Sequence, residues 1–328
     1  MYMSEKSINV GDAIHDALVE EMRRDPSVVI LGESIQRAAS FGITRGLLTE
    51  FGYNRVWDTP IAENAIAGLA LGAALTGLRP IPIIMIGDFL PYAMEIICNE
   101  IAKYRYMFGG NFKVPITIRV GAQGAGASLA AQHSQCLEAW FIHVPGLKVV
   151  YASTPYDAKG LLKASIRDDN PVLFFEHKFL GSITGTVPTE DYTIPIGVAD
   201  VKREGEDVTI VAWAFMMHKA LNAAAELEKE GISVEVVDPR TLYPLDKETI
   251  LQSVKKTGRL IIAEEAPKTG SIGAEISAMV NEEGFDYLDA PIMRVAAPHT
   301  PIPYSAALEK LWIPNVEDII NMAKKIVT

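Results

Sequence analysis

The sequence predicts two consecutive α/β domains with mainly parallel sheets. Short β-branched runs alternate with helical patterns, the alternation is interrupted over about 178–200, and it then resumes. Strands that alternate with helices favour a parallel sheet covered on both faces. With 328 residues the chain is long enough for two hydrophobic cores.

The interruption defines the predicted domain boundaries. Its glycines and prolines, among them Gly181 and Pro195, are typical of a connection between domains. We therefore predict a first domain over 1–180, a linker over 181–200 and a second domain over 201–328.

Hydrophobic periodicity predicts the individual elements. A helix beginning near Val10 precedes the first strand, and Thr154-Pro155-Tyr156-Asp157 predicts a helix with Thr154 as its N-cap. The predicted strands are 28–31, 81–86, 115–120, 148–152, 172–176, 208–212, 234–237 and 260–263. The other predicted helices are 60–76, 91–106, 219–230, 246–255 and 272–281.

Composition excludes several classes of function. The net charge is −11 and no Lys/Arg run exceeds two residues, which disfavours nucleic-acid binding. The longest smooth apolar stretch, 65–78, is too short to span a bilayer, and residues 1–6 lack the apolar core of a signal peptide. Two cysteines cannot form a disulfide framework. We expect a cytoplasmic protein with a small-molecule substrate.

The segment Asp58-Thr59-Pro60-Ile61-Ala62-Glu63-Asn64 holds the first candidate catalytic residue. Thr59 and Pro60 predict a helix start, which places Glu63 in the first turn. Eight of the residues 65–77 are Ala or Gly, so another backbone can approach this helix closely, as at a subunit interface. The small neighbours leave Glu63 in an apolar environment suited to acid–base chemistry. A carboxylate there also favours the positive end of the helix dipole, which is the alternative explanation.

His133 is the second candidate, within the polar run Ala130-Ala131-Gln132-His133-Ser134-Gln135. A histidine among amides and a hydroxyl suits a positioned acid, base or hydrogen-bond donor, with a structural role as the alternative. Cys136 could pair with it as a nucleophile, but no third orienting residue is evident. The preceding glycines fit no phosphate-binding fingerprint, and six scattered histidines without His-Glu-x-x-His disfavour a zinc site.

Phe89 and Tyr92 follow the predicted strand 81–86. Ligands bind beyond the carboxyl ends of strands in open α/β sheets, so these rings could stack on a planar ligand. Packing in the core is the alternative.

Taken in this order, the segments resemble the β subunit of the E1 component of 2-oxo acid dehydrogenase complexes. That group includes the pyruvate, branched-chain and acetoin dehydrogenase β chains, and the resemblance covers nearly the whole chain. The motifs that carry it are Asp58-Thr59-Pro60-Ile61-Ala62-Glu63, Gly77-Leu78-Arg79-Pro80, Ala130-Ala131-Gln132-His133-Ser134-Gln135, Pro145-Gly146-Leu147-Lys148-Val149-Val150, Asp157-Ala158-Lys159-Gly160-Leu161-Leu162, Ile166-Arg167-Asp168-Asp169-Asn170-Pro171 and Gly273-Ala274-Glu275-Ile276.

The resemblance implies a thiamin-diphosphate fold with a pyrimidine-binding domain followed by a transketolase C-terminal-like domain. It implies that Glu63 meets N1′ of the cofactor's aminopyrimidine, that Phe89 packs against the pyrimidine and that Ile61 belongs to the same pocket wall. Tyr92 is a further candidate cofactor-binding residue because of its place after the strand 81–86. The resemblance also implies that His133 assists acyl transfer to the lipoyl group of an E2 acyltransferase.

The metal half of the cofactor site is expected on another chain. Thiamin enzymes hold the diphosphate through Mg²⁺ with a Gly-Asp-Gly…Asn motif, and no Gly-Asp-Gly occurs here: the two Gly-Asp pairs, Gly11-Asp12 and Gly87-Asp88, are followed by Ala and Phe. The resemblance therefore implies an E1 α subunit and an α2β2 heterotetramer. The backbone carbonyls of Ile116, Ser165, Asp168 and Asn170 match a potassium site that some members of the family have, so the resemblance implies such a site here.

One segment departs from the family. After Gly32-Glu33 the family usually has an Asp and a glycine-rich run, whereas here residues 34–42 read Ser-Ile-Gln-Arg-Ala-Ala-Ser-Phe-Gly. Glu33 matches an acidic channel proposed between paired sites. The altered loop puts local contacts with the partner in question.

The substrate is less closely defined than the family. Segments such as 105–110, 153–157 and 298–303 favour acetoin slightly over pyruvate, and branched-chain 2-oxo acids come third. The alternatives are the C-terminal half of a split transketolase and a scaffold subunit without activity. The surface that docks E2 is not located by the sequence.

Overall fold

The computed structural model describes residues 5–37 and 42–327. By their contacts, the described residues form two compact units, one within Met1–Gln123 and Trp140–Ile196 and the other within Gly124–Ala139 and Gly197–Thr328. Each unit is α/β with a mainly parallel sheet, which confirms the predicted fold class. The domain limits 1–180 and 201–328, with the linker 181–200, stay predictions. The departure from the family at 34–42 falls partly outside the described residues.

Strands and helices alternate along most of the chain. The strands are β1 Glu5–Asn9, β2 Val28–Glu33, β3 Val56–Thr59, β4 Arg79–Ile84, β5 Thr117–Gln123, β6 Lys148–Tyr151, β7 Val172–His177, β8 Thr184–Pro188, β9 Asp200–Arg203, β10 Val208–Ala212, β11 Val234–Asp238, β12 Thr241–Tyr243, β13 Leu260–Pro267 and β14 Met293–Ala297. The α-helices are α1 Val10–Arg24, α2 Leu47–Phe51, α3 Glu63–Leu75, α4 Tyr104–Met107, α5 Glu138–Ile142, α6 Pro155–Arg167, α7 Ala214–Glu228, α8 Lys247–Thr257, α9 Ile272–Glu283, α10 Ala306–Trp312 and α11 Val316–Val327.

The sheet of the first unit includes the consecutive order β6-β7-β5-β4-β2-β3. All of these neighbours pair in parallel, so their carboxyl ends lie along one edge. Strands β2, β4, β5 and β7 are almost entirely buried, as expected for parallel strands covered by helices. A small antiparallel pair of β1 with β8 completes the unit.

The second unit has the strand order β14-β13-β10-β11-β9, in which only β9 pairs antiparallel. Its core is formed where α7 and α11 pack on buried side chains such as Ile210, Val236 and Ile261. Every residue of β10 and β11 is buried.

Local signals predicted some helix ends correctly and others not. Thr154 Oγ1 accepts a hydrogen bond from the Asp157 backbone N–H at 3.1 Å, and α6 begins at Pro155 as predicted. The single helix predicted over 91–106 is wrong. The chain forms a 3₁₀ helix at Gly87–Ala93, a π-helix at Ile96–Ile101 and α4 instead. Pro91 lies inside the 3₁₀ helix and has no N–H for an α-helical ladder.

Two further findings concern the described residues as a whole. None of their helices is long and apolar enough to cross a membrane. Cys98 and Cys136 are both half-buried and are not bonded in a disulfide.

Candidate active site

The carboxyl edge of the first unit's sheet gathers the candidate residues of that unit. Strand β2 lies between β3 and β4, and Glu33 is in register with Thr59. Ligand sites of α/β sheets form at this edge because loops there connect strand ends to helix starts. Glu33 ends β2, Glu63 follows β3 and Phe89 follows β4.

Glu63 is the first residue of α3 and only 9% exposed. The predicted helix start at Thr59-Pro60 is wrong because Thr59 is still in the ladder with β2, and the first helical hydrogen bond runs from Ile66 N–H to the Ala62 carbonyl at 2.9 Å. Glu63 nevertheless lies in the first turn, as predicted. Among the described residues, no side chain caps this helix at Ala62. Because Glu63 lies in the first turn, its carboxylate lies near the positive end of the helix.

Glu33 is a second carboxylate at this edge. It is half-buried, and burial together with the nearby Glu63 charge raises the pKa of its carboxyl. Two neighbouring carboxyl groups in a partly desolvated place favour a bound cationic or proton-donating group. The hydroxyl of Thr59, in register with Glu33, is buried and has no hydrogen-bond partner among the described residues.

The aromatic candidates lie on the 3₁₀ helix that follows β4. Phe89 is half-buried and Tyr92 is 64% exposed, while Ile61 is 78% exposed between β3 and α3. A Cβ at Gly87 would approach Gln123 Cγ to 2.5 Å, so a glycine is needed where this turn meets the end of β5. Ile61 and Tyr92 thus present apolar surface to solvent in the chain as it stands, and neither is a core residue.

The proposed potassium ligands lie around the start of β5 and the turn after α6. The Ile116 carbonyl accepts from Val172 N–H at 2.9 Å, and the Ser165 carbonyl accepts from Asp168 N–H at 3.2 Å. The Asp168 carbonyl accepts from the Arg79 guanidinium at 2.7 Å. Each of these oxygens keeps a second lone pair, but the Arg79 charge beside Asp168 disfavours a cation there. The site stays a prediction.

His133 belongs to the second unit, with the segment 124–139. It is half-buried and follows a single 3₁₀ turn at Ala130–Gln132. The hydroxyl of the next residue, Ser134, is buried without a hydrogen-bond partner among the described residues.

Buried carboxylates in the second unit were not predicted from the sequence. Glu138 is 2% exposed, and its Oε1 accepts a long hydrogen bond from Trp213 Nε1 at 3.4 Å. Burial raises its pKa to about 7, and the charges of Glu264 and Glu265 add to this. Burial also raises the pKa of Glu264 to about 7, although it accepts from the Ser271 hydroxyl and from Gly273 N–H.

Two more carboxylates bind the backbone of the segment before His133. Glu265 accepts from Ala125 N–H at 2.6 Å, and Glu309 accepts from Gly126 N–H at 2.7 Å and Ser128 N–H at 2.9 Å. No short motif connects these residues, because they are 140 to 183 positions apart. Across the described part of the chain, no three His, Cys, Asp or Glu side chains are arranged to hold a metal ion.

Comparison with protein families matches both halves of the chain. The model of the transketolase pyrimidine binding domain matches residues 6–182, and that of the transketolase C-terminal domain matches residues 197–319.

Curated relatives are similar over nearly the full length. The acetoin:2,6-dichlorophenolindophenol oxidoreductase subunit beta of Bacillus subtilis (strain 168) is 48% identical over 96% of this chain and 96% of its own. The pyruvate dehydrogenase E1 component subunit beta of Rhizobium meliloti (strain 1021) is 48% identical over 98% of this chain and 70% of its own. The 2-oxoisovalerate dehydrogenase subunit beta of Bacillus subtilis (strain 168) is 49% identical over 94% and 95%.

Among solved structures, a split gene transketolase described as an inactive beta4 tetramer is similar with a TM-score of 0.78. It is 25% identical, and the match covers 98% of each chain.

Proposed function

The chain belongs to the family of E1 β subunits of 2-oxo acid dehydrogenase complexes, and we propose that it is the β half of an E1 that acts on acetoin or pyruvate. Relatives named for acetoin, pyruvate and 2-oxoisovalerate are 48%, 48% and 49% identical to this chain. Because these identities do not separate the three substrates, the experiment includes all of them. The placement of Glu63 in the first turn of α3, beside Glu33, is the observation that carries the proposal.

Thiamin diphosphate is the cofactor that this edge fits. When bound, it supplies a thiazolium carbanion that adds to the carbonyl of the substrate. Glu63 would hold the proton shared with N1′ of the aminopyrimidine, and Glu33, whose pKa is raised by burial and by the Glu63 charge, lies at the same edge. Phe89 would pack against the flat pyrimidine ring, with Ile61 and Tyr92 beside it.

An α subunit would provide Mg²⁺ and the diphosphate contacts and would cover the exposed side chains. On α3, a Cβ at Gly68 or Gly72 would meet no atom of the described residues within 4 Å, and Leu69 between them is 47% exposed. The part of α3 around Gly68 and Gly72 therefore allows a helix of another subunit to approach its backbone closely, as in an α2β2 tetramer. The transketolase relative, described as an inactive assembly of β chains, is in line with a need for the other half.

His133 would act on the acyl group as it passes to the lipoyl group of an E2 acyltransferase. A half-buried imidazole can donate to a developing oxyanion or move the thiol proton. A potassium ion at the backbone carbonyls of Ile116, Ser165, Asp168 and Asn170 would be structural, and the Arg79 guanidinium that binds the Asp168 carbonyl opposes it.

Turnover of the reconstituted enzyme tests the proposal. The β chain is mixed with Mg²⁺ and thiamin diphosphate, with and without its α partner. Acetoin, pyruvate or 2-oxoisovalerate is then added, and the reduction of an artificial dye is followed. We expect turnover only when both chains are present, and we expect it to be fastest on acetoin or pyruvate. The control is Glu5→Gln, which removes an exposed carboxylate from β1 and should leave the turnover rate unchanged. Turnover by the β chain alone, or on none of the substrates, would contradict it.

A split transketolase half is the second candidate, favoured by the structural likeness of 0.78 in TM-score. Transfer of a two-carbon ketol unit between sugar phosphates by the same α–β pair, with no dye reduction on the three substrates, would establish it instead.

A further inference from the structure

The segment that carries His133 has a strained backbone. Ser128 and Ala130 have φ values of 53° and 60°, and Gly124 and Gly126 have 92° and 107°. Left-handed conformations are unfavourable for residues with a Cβ, and they persist only where the surroundings hold them. Something in the second unit must therefore hold this segment.

Two carboxylates do so, and we call Glu265 and Glu309 the carboxylate clasp. Glu309 on α10 is 1% exposed, with Oε1 accepting from Gly126 N–H at 2.7 Å and Oε2 from Ser128 N–H at 2.9 Å. Glu265, near the end of β13, accepts from Ala125 N–H at 2.6 Å. Three N–H groups within four successive residues thus converge on buried carboxylates, an arrangement in which loop amides form a concave anion-binding nest.

The surroundings fix the other side of the segment. Ala125 is 1% exposed and packs in a small apolar cluster with Ala297, Ile302 and Trp312. Trp312 lies on α10 with Glu309, so the same helix supplies apolar contact and hydrogen bonds. Burying a carboxylate is costly, and the backbone N–H groups offset that cost only in this one loop conformation.

His133 lies five residues beyond Ser128, separated by the single turn at Ala130–Gln132. This short connection limits how far the imidazole can move while the clasped amides are held. We propose that Glu309 is a positioning residue for His133, holding the loop so that the imidazole is fixed for acyl transfer. This inference depends on the proposed function of His133.

The test uses the α–β complex with Glu309→Gln. Glutamine keeps the volume and one acceptor oxygen, but its NH₂ group faces one of the two backbone N–H donors. We expect the amides of 124–135 to exchange with deuterium about tenfold faster, because a charge-assisted bond is lost. We expect acetylation of an isolated lipoyl domain to fall by ~10–10²-fold through misplacement of His133, while dye reduction stays within about threefold.

Two matched controls accompany this variant. Glu317→Gln removes an exposed carboxylate from α11 and should leave both rates and the exchange unchanged. Ser128→Ala keeps the backbone N–H and removes only the hydroxyl, which donates a long hydrogen bond of 3.5 Å to Glu309 Oε2, so both rates should stay close to those of the wild type. Loss of acetylation in Ser128→Ala would assign the effect to the hydroxyl and overturn the role of the clasp.

Other outcomes also overturn the proposal. An equal fall of dye reduction and acetylation, or unchanged exchange, would do so. If Glu309→Gln fails to assemble, hydrogen exchange of the wild-type complex decides: protected amides at 125, 126 and 128 support the clasp, and exchange at the rate of unstructured peptide contradicts it.

His133→Ala separates the role of His133 in acyl transfer from the role of the clasp in positioning it. Unaffected acetylation in that variant refutes the role of His133 itself, whereas loss there without loss in Glu309→Gln refutes only the clasp.

Discussion

The two units position their candidate groups in different ways. At the carboxyl edge of the first unit, Glu33 and Glu63 lie at the end or start of regular elements, and strand register fixes their neighbours. In the second unit, His133 lies on a strained loop held by the distant Glu265 and Glu309. In the first unit, strand pairing and a helix start hold the two carboxylates through the backbone. In the second unit, the carboxylate clasp depends on two side chains far away in sequence and is lost with a single substitution.

The largest effect on turnover should come from Glu63, at the carboxyl edge of the first unit's sheet. Glu63→Gln removes the carboxylate that exchanges a proton with the pyrimidine, so we expect dye-linked turnover of the complex to fall by ~10²–10⁴-fold, or ~3–5 kcal/mol. Because α3 still forms, the melting temperature of the variant should stay close to that of the wild type. Turnover within threefold of the wild type would remove Glu63 from the chemistry and revive the scaffold alternative.

A buried ion pair in the first unit should make a large contribution to its stability, because removing one partner leaves the other unpaired. Arg119 Nη2 lies 2.8 Å from Glu176 Oε2, and its Nε also contacts Oε1 of this carboxylate. Burial raises the pKa of Glu176 and the guanidinium opposes this. Arg119→Met leaves a buried carboxylate unpaired, and we expect a loss of ~3–5 kcal/mol in the free energy of unfolding, measured with urea. The double variant with Glu176→Leu should recover most of it, and a single variant that loses less than about 1 kcal/mol would contradict the pairing.

In the second unit, Glu138 forms no ion pair with any described residue, and its burial predicts that stability depends on pH. Burial raises its pKa to about 7, so between about pH 4.5 and 7 the folded chain holds a proton that the unfolded chain has released. This contribution to stability is present at low pH and is lost as the pH rises through about 7. Glu138→Gln, which stays neutral, should flatten the decline in the free energy of unfolding between pH 5 and 8. The unchanged Glu264, whose pKa is also about 7, would retain its own part of the decline.

Parallel slopes for the wild type and Glu138→Gln over that range would show that Glu138 is ionised in the fold. Glu282→Gln, an exposed carboxylate on α9, is the control and should leave the slope unchanged.

The smallest effects concern helix caps, one in each unit. Thr154→Ala removes one acceptor for the Asp157 N–H, and we expect a loss of about 1 kcal/mol in the free energy of unfolding. Asp246 accepts from Thr249 N–H and also from Ala199 N–H at 2.9 Å, so Asp246→Ala should cost more, up to about 2 kcal/mol. A larger loss for Thr154→Ala would contradict the cap assignments.

Regular elements could be predicted where their signals are local. The strand over 208–212 has the predicted bounds, and Thr154 caps α6 through the Asp157 N–H as its sequence indicates. The helix over 91–106 was wrong because apolar spacing does not distinguish α-helical from 3₁₀ or π turns, and Pro91 breaks the ladder. The start of α3 was wrong because pairing with β2 keeps Thr59 extended.

The candidate site was predictable in part. Glu63 and His133 stand in runs of residue types that suggested chemistry, and the family resemblance gave them roles. Glu138, Glu265 and Glu309 gave no signal, because a buried carboxylate is recognised only by its partners and those partners lie far away in sequence. Long-range contacts of this kind arise from tertiary packing, which periodicity does not encode.

Binding of thiamin diphosphate tests the central claim most directly, namely that this chain holds one half of a shared cofactor site. Calorimetric titration in Mg²⁺ would compare the β chain, its α partner and the mixed complex. We predict saturable binding by the complex, little or none by either chain alone at the same concentration, and weakened binding in the complex with Glu63→Gln. Full-affinity binding by the β chain alone would contradict the shared site.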